Sequence, residues 1–184
     1  MEPSFKKRLP SLAVTSLMAG AAGLGIIAPA PALAALDAFL DIPGIPGESQ
    51  DAKHKGEIDV LSYSHTFAPG DKVKGARTNC SLVQIGKFVD RATPRLAVRA
   101  ATGETIPTMT LTVRKAGPAA LEFYTVTLQD VTVVSTQVNG AGGDDRMEES
   151  VNLNMGSATI QYVPQNPDGS PAGAAVSETV SCAA

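Results

Sequence analysis

The chain predicts a mainly β domain, a barrel or a sandwich carrying one short helix. Apolar and polar residues alternate in about seven runs, and Gly- and Pro-containing turns separate those runs. A single stretch has the capping residues and spacing of a helix.

The first run pairs Leu36, Ala38, Leu40 and Ile42 with the alternating Asp37, Phe39 and Asp41, a half-buried strand that Pro43-Gly44 and Pro46-Gly47 end. A polar loop, Glu48 to Gly56, leads into a strand over Glu57–Phe67. Its apolar parity switches from Ile58 and Val60 to Leu61, Tyr63 and Phe67, which implies a bulge or a change of packing partner. Strand signals resume at Cys80–Val89. Thr93 then suits an N-cap, Pro94 the first helical position and Gly103 the position past the end, so a helix covers Pro94–Thr102. It sets Arg95 and Arg99 on one face, Leu96 and Ala100 on another.

Met109, Leu111 and Val113 alternate with Thr108, Thr110, Thr112 and Arg114, and the threonines suit an exposed sheet face. Leu121–Ser135 is a long strand whose parity shifts from Leu121 and Phe123 to Val126 and Leu128, then to Val131 and Val133. After a Gly- and Asp-rich loop at Asn139–Met147, Val151, Leu153 and Met155 begin a strand that continues through Ile160 and Tyr162. Asn166-Pro167-Asp168-Gly169 is a turn, and Val176, Val180 and Cys182 alternate in the last strand.

Residues 1–34 have the layout of a secretory signal peptide. Lys6, Lys7 and Arg8 precede an uncharged run from Ser11 to Ala28, Pro29 and Pro31 end it, and Ala32-Leu33-Ala34 offers small residues to a signal peptidase. Cleavage is expected between Ala34 and Ala35, leaving a single domain over residues 35–184. The alternative is a membrane anchor, for which an Ala- and Gly-rich run of about 18 residues is short. No later stretch is apolar enough to span a bilayer, so no stable membrane insertion is expected after cleavage.

The leader carries three of the 15 Lys+Arg and one of the 18 Asp+Glu, so the mature part holds 12 basic and 17 acidic residues. That balance disfavours nucleic acid as a partner, because phosphates demand a basic face. The two cysteines, Cys80 and Cys182, lie in the exported part and predict one disulfide, with two buried thiols as the alternative. Such a bond requires the last strand to lie beside the strand that begins near Cys80.

No motif carries catalysis. Gly-x-Ser-x-Gly and His-Glu-x-x-His are missing, and no nucleophile motif accompanies Asp51, Lys53 and His54 in their polar loop. His65 shares a strand face with Tyr63 and Phe67, as a packed or interface histidine does. Asp144, Asp145, Glu148 and Glu149 lack EF-hand spacing, and the two histidines and two cysteines lack metal-ligand spacing. We therefore expect no enzyme activity, metal or cofactor. Arg91, Arg95 and Arg99 form a basic stripe that is either a solvated face or a docking site for an acidic neighbour.

Longer segments carry a resemblance. Gly44-Ile45-Pro46-Gly47-Glu48-Ser49, Lys53-His54-Lys55-Gly56-Glu57-Ile58-Asp59-Val60-Leu61-Ser62, Asp90-Arg91-Ala92-Thr93-Pro94-Arg95-Leu96, Leu111-Thr112-Val113-Arg114-Lys115-Ala116-Gly117, Glu148-Glu149-Ser150-Val151-Asn152-Leu153-Asn154 and Tyr162-Val163-Pro164-Gln165 stand in family order over nearly all the mature chain. They resemble the haemolysin-coregulated protein (Hcp) family, the tube proteins of type VI secretion, with Tyr63 and His65 where the family has tryptophans. The resemblance implies a β-barrel of two antiparallel sheets with one flanking helix, and a homo-oligomeric ring, a hexamer, without catalysis. It also implies stacking of rings into a tube and small effector proteins in the lumen. The expected protein is thus an exported ring-forming structural protein, secreted or periplasmic. The alternative is an extracellular monomeric binding module that kept the barrel.

Overall fold

The computed structural model describes residues 35–68, 79–115 and 120–182. Its elements are β1 Leu36–Asp41, β2 Ile58–Ser64, β3 Phe67–Ala68, β4 Asn79–Cys80, β5 Val83–Phe88, α1 Thr93–Thr102, β6 Ile106–Lys115, β7 Glu122–Asn139, β8 Glu148–Asn154, β9 Ser157–Tyr162 and β10 Val176–Ser181. Eight strands form one sheet in the order β10-β9-β7-β6-β1-β2-β5-β8, and β8 also pairs with β7. That second pairing closes β7, β6, β1, β2, β5 and β8 into a six-stranded antiparallel barrel, so the wall is one sheet curled on itself. β9 and β10 extend beyond the wall, and β3 with β4 forms a separate two-stranded ribbon.

β7 makes closure possible because it is 18 residues long and changes partner. Tyr124–Gln129 pair with β9, whereas Thr132–Asn139 pair with β8. Asp130, between the two stretches, is the one non-glycine residue of positive φ among the described residues, at 53°. Opposite it, Met155-Gly156 breaks what the alternation predicts as one strand into β8 and β9. The Gly156 N–H donates to the Gln129 carbonyl at 2.9 Å. A Cβ on Gly156 would lie 3.1 Å from that of Asp130, which explains the glycine.

The parity switches have the same kind of cause. Between Val60, opposite Lys87, and Ser62, opposite Gly86, Leu61 is an extra residue; it turns out of the barrel while Tyr63 returns inward. Phe123 and Val134 mark the corresponding register shifts in β7. Inward-facing Leu40, Ile58, Ile85, Met109, Leu128 and Leu153 are almost wholly buried and form the core.

The helix packs against β7 through Ala92 and Leu96. Gly103, in the left-handed region at φ 68°, ends it by donating its N–H to the Arg99 carbonyl. Its start corrects the sequence reading. Ala92 is the N-cap residue and provides no side-chain cap, while Thr93 lies inside the helix. The Thr93 hydroxyl is committed elsewhere, and the Asp90 carboxylate accepts the Ala92 N–H at 2.9 Å. The predicted strand at Cys80–Val89 is also two elements, β4 and β5, with a break at Ser81-Leu82.

Candidate assembly surfaces

The Gly47–Glu57 loop is a strap laid on the outer face of β1. Gly47 and Gly56 join its two ends, Gly47 N–H to Gly56 carbonyl at 2.8 Å, and the Ser49 N–H reaches the Glu57 carbonyl at 2.9 Å. Phe39 faces outward, opposite to Leu40, yet is 5% exposed. The His54 ring stacks on it with centroids 4.2 Å apart, and the Arg114 guanidinium covers it at 4.9 Å. Arg114 on β6 then bonds Asp37 of β1 through Nε and Nη2, and Asp51 of the strap through Nη1 at 3.0 Å and through Nη2. The Arg114 hydrogen bonds, with backbone N–H donors from Lys53 and His54, hold the Asp51 carboxyl down at about 2. Glu57 Oε2 lies 3.0 Å from His54 Nδ1.

A second polar group sits inside the barrel. Lys87 Nζ is 2.9 Å from Glu149 Oε2 and 2.8 Å from Asp90 Oδ1, and it donates to the Phe88 carbonyl at 2.7 Å. The Thr93 hydroxyl accepts from Lys87 at 3.1 Å and donates to Glu149 at 2.6 Å. This group ties β5, β8 and the start of α1 together. The geometry of both clusters holds elements in place, and neither presents a nucleophile to a cavity.

What the barrel offers to a partner is surface. Leu61 and Val134, two of the three bulge residues, are 49% and 48% exposed, and Leu36, Leu82, Val98, Met147, Tyr162 and Val176 are also open to solvent. The register of β6, β7, β9 and β10 aligns Thr110, Thr127, Thr159 and Thr179 in one row across four strands. Beside it runs a row of Thr108, Gln129, Ser157 and Ser181. The result is a sheet face of uncharged hydroxyl and amide groups.

The sequence profile of the family described as "Type VI secretion system effector, Hcp" matches residues 39–162, from β1 through β9. The chain belongs to the Hcp family. It is 34% identical over 149 residues to Protein hcp1 of Pseudomonas aeruginosa, covering 77% of this chain and 92% of that protein. Among solved structures it resembles Hcp1 from Salmonella typhimurium at 30% identity and TM-score 0.67, over 80% of this chain and 94% of the other. A structure titled as a type six secretion system protein matches at 28% identity and TM-score 0.72, over 80% and 96% of the two chains.

On this Hcp fold the three arginines of the stripe do not act alike. The Arg95 guanidinium donates to the Gly44 carbonyl, and Arg99 pairs with Glu104. The Arg91 backbone N–H donates to Glu48 Oε1 at 3.2 Å, leaving its side chain exposed. Arg95 and Arg99, with Val98, border a hollow of about 460 Å³ between α1 and the Gly44 turn. Asp144 accepts the Ala141 N–H within its own loop, Glu149 is the buried partner of Lys87, and no cluster of metal-binding side chains forms among the described residues. His65 joins Tyr63 and Tyr124 in a set of near-parallel rings 6.2–6.5 Å apart, with Phe67 at 5.1 Å. Burial pushes the His65 pKa down and the two tyrosine pKa values up.

A disulfide joins Cys80 to Cys182, with Cα atoms 5.4 Å apart. It brings the end of the last strand beside the strand at Cys80, as the sequence reading requires, and the two strands belong to different sheets. β4 belongs to the ribbon and β10 pairs with β9, so the bond staples the ribbon to the end of the large sheet. Ala34 lies outside the described residues and Ala35 is the first of them. The buried roles of Lys87, Glu149 and Arg114 escaped the sequence reading, although Lys87 is in phase with Val83 and Ile85, and Glu149 with Val151 and Leu153. A charge in apolar phase is the signal of a buried pair.

Proposed function

We propose that residues 1–34 direct export and that residues 35–184 form one Hcp domain whose copies close into a six-membered ring. That ring would be a secreted structural component related to the type VI secretion tube, with room in its lumen for small effector proteins and no catalytic step of its own. The reach of the family match carries this reading: it runs from within β1 through β9 and includes the strap and the helix. The outward apolar side chains support it, because Leu61 and Val134 gain nothing in a lone domain and can bury against a neighbour. A cyclic ring uses head-to-tail contacts, so two different patches must match. Apolar burial should dominate that contact, with the Arg91, Arg95 and Arg99 stripe adding weak, salt-sensitive pairs.

The test is the mass of the exported protein. N-terminal sequencing of material recovered outside the cytoplasm should begin at or within a few residues of Ala35. Sedimentation should give six times the monomer mass, or a multiple of it, with modest loss at high salt. A monomer at high micromolar concentration would overturn the ring and favour the binding-module alternative instead.

A further inference from the structure

We propose that β10 is a docking edge for the β10 of a second copy of this chain, paired antiparallel about a two-fold axis at Thr179. β10 ends the large sheet, and among the described residues no strand pairs with its other side. Five of its six residues are exposed and Val180 is half-buried. Free edges are normally blunted by Lys, Pro, a bulge or shortness. Val176-Ser177-Glu178-Thr179-Val180-Ser181 has no Lys or Pro, and its register with β9 runs unbroken from Val176 to Ser181.

The main-chain hydrogen bonds fix which groups face outward. The Val163 N–H donates to the Phe123 carbonyl, so Ser157, Thr159 and Gln161 turn their main chain toward β7, and Ala158, Ile160 and Tyr162 toward β10. Their partners are Val180, Glu178 and Val176, and the Cys182 N–H, bonded to the Gly156 carbonyl, continues the same phase. Ser177, Thr179 and Ser181 therefore present their N–H and C=O groups to the open side.

The sequence of this edge complements itself. A register that satisfies all three outward residues sets Thr179 opposite Thr179 of the second copy, and Ser177 opposite its Ser181. On the other face Glu178, the one charge of the strand, then meets Val180 and never another Glu178. The hydroxyl rows of the two sheets become continuous. Such a contact is isologous, whereas a ring closes through head-to-tail contacts. β10 pairing therefore joins two subunits or two rings, independently of whether the ring forms.

Sedimentation of the chain beginning at Ala35 tests this. The wild type should have twice the mass of Thr179→Pro, which loses no main-chain hydrogen bond because the Thr179 N–H faces outward, and gives up within its own subunit only the exposed hydroxyl contact to Thr159. The lower mass, monomer or ring, reports separately on the ring reading. Ser177→Lys/Ser181→Lys and Ser177→Glu/Ser181→Glu should each show the halved mass alone, and mixing the two should restore the doubled mass. Equal masses for wild type and both double variants would overturn the proposal. So would a mixture that stays at the halved mass, since another partner strand would not create the Lys-to-Glu pairing.

Discussion

Lys87 and Glu149 meet inside the barrel with Nζ 2.9 Å from Oε2 and neither side chain reaching solvent. Removing Lys87 leaves Glu149 charged, buried and without a cation, which costs about 3–5 kcal/mol. Lys87→Met should lower the unfolding free energy measured in urea by that amount. The double variant Lys87→Met/Glu149→Leu should recover part of it, because the two apolar groups need no partner while Asp90 still loses its Lys87 contact. If the double variant is no better than the single one, the pair does more than neutralise itself.

Asp51 should make the strap sensitive to acid. Its carboxyl is held at about 2 in the fold, below the ordinary value near 3.9 of an unfolded chain. Its contribution is therefore complete above about pH 4 and is lost as the pH falls through about 2. Asp51→Asn should melt below wild type at pH 6, and the two should converge at pH 2. Parallel melting curves across that range would show that the Arg114 contact adds nothing to stability.

Gly47 should tolerate no side chain. A Cβ there would lie 2.4 Å from the Glu57 carbonyl oxygen and 2.6 Å from the Ile58 Cα, both backbone atoms that cannot turn aside. Gly47→Ala should cost about 1–3 kcal/mol by forcing the strap off β2. Gly142→Ala, where a Cβ meets nothing within 4 Å, is the matched control and should cost less.

The Cys80–Cys182 bond closes a sequence separation of 102 residues. Losing it should cost about 2–5 kcal/mol, chiefly by loosening the unfolded chain. Protein purified without reductant should titrate no thiol when unfolded. Reduced wild type and Cys80→Ser/Cys182→Ser should share one denaturation midpoint, below that of the oxidised protein. Two titratable thiols would show that the bond does not form in the isolated protein.

Much of the wall was legible because strand formation writes itself into adjacent residues. The alternation at Leu36–Ile42 and Thr108–Arg114 is β1 and β6, and Pro94 with Gly103 brackets α1 to within one residue. The parity switch at Leu61 is a bulge, and those along β7 come from register shifts and a change of partner, as the pattern implies. Thr93 was misread because a threonine ahead of a helix looks the same whether its hydroxyl caps the helix or reaches Glu149, 56 residues away. The strap was equally hidden: Glu48 to Gly56 reads as a polar loop, and only the positions of Phe39 and Arg114 show that it covers something.

By itself the sequence determined the strands, the helix and the Hcp family, since periodicity, turn residues and family segments are all local in the chain. Tertiary structure alone decided that β8 returns to β7 and closes the barrel, that Lys87 finds Glu149, and that Ser177, Thr179 and Ser181 turn their main chain away from β9, on a side where no strand pairs among the described residues. Each of those outcomes depends on which distant backbone or charge arrives alongside. Strands of similar alternation are interchangeable in sequence, whereas their hydrogen bonds and buried charges are satisfied by one arrangement in space.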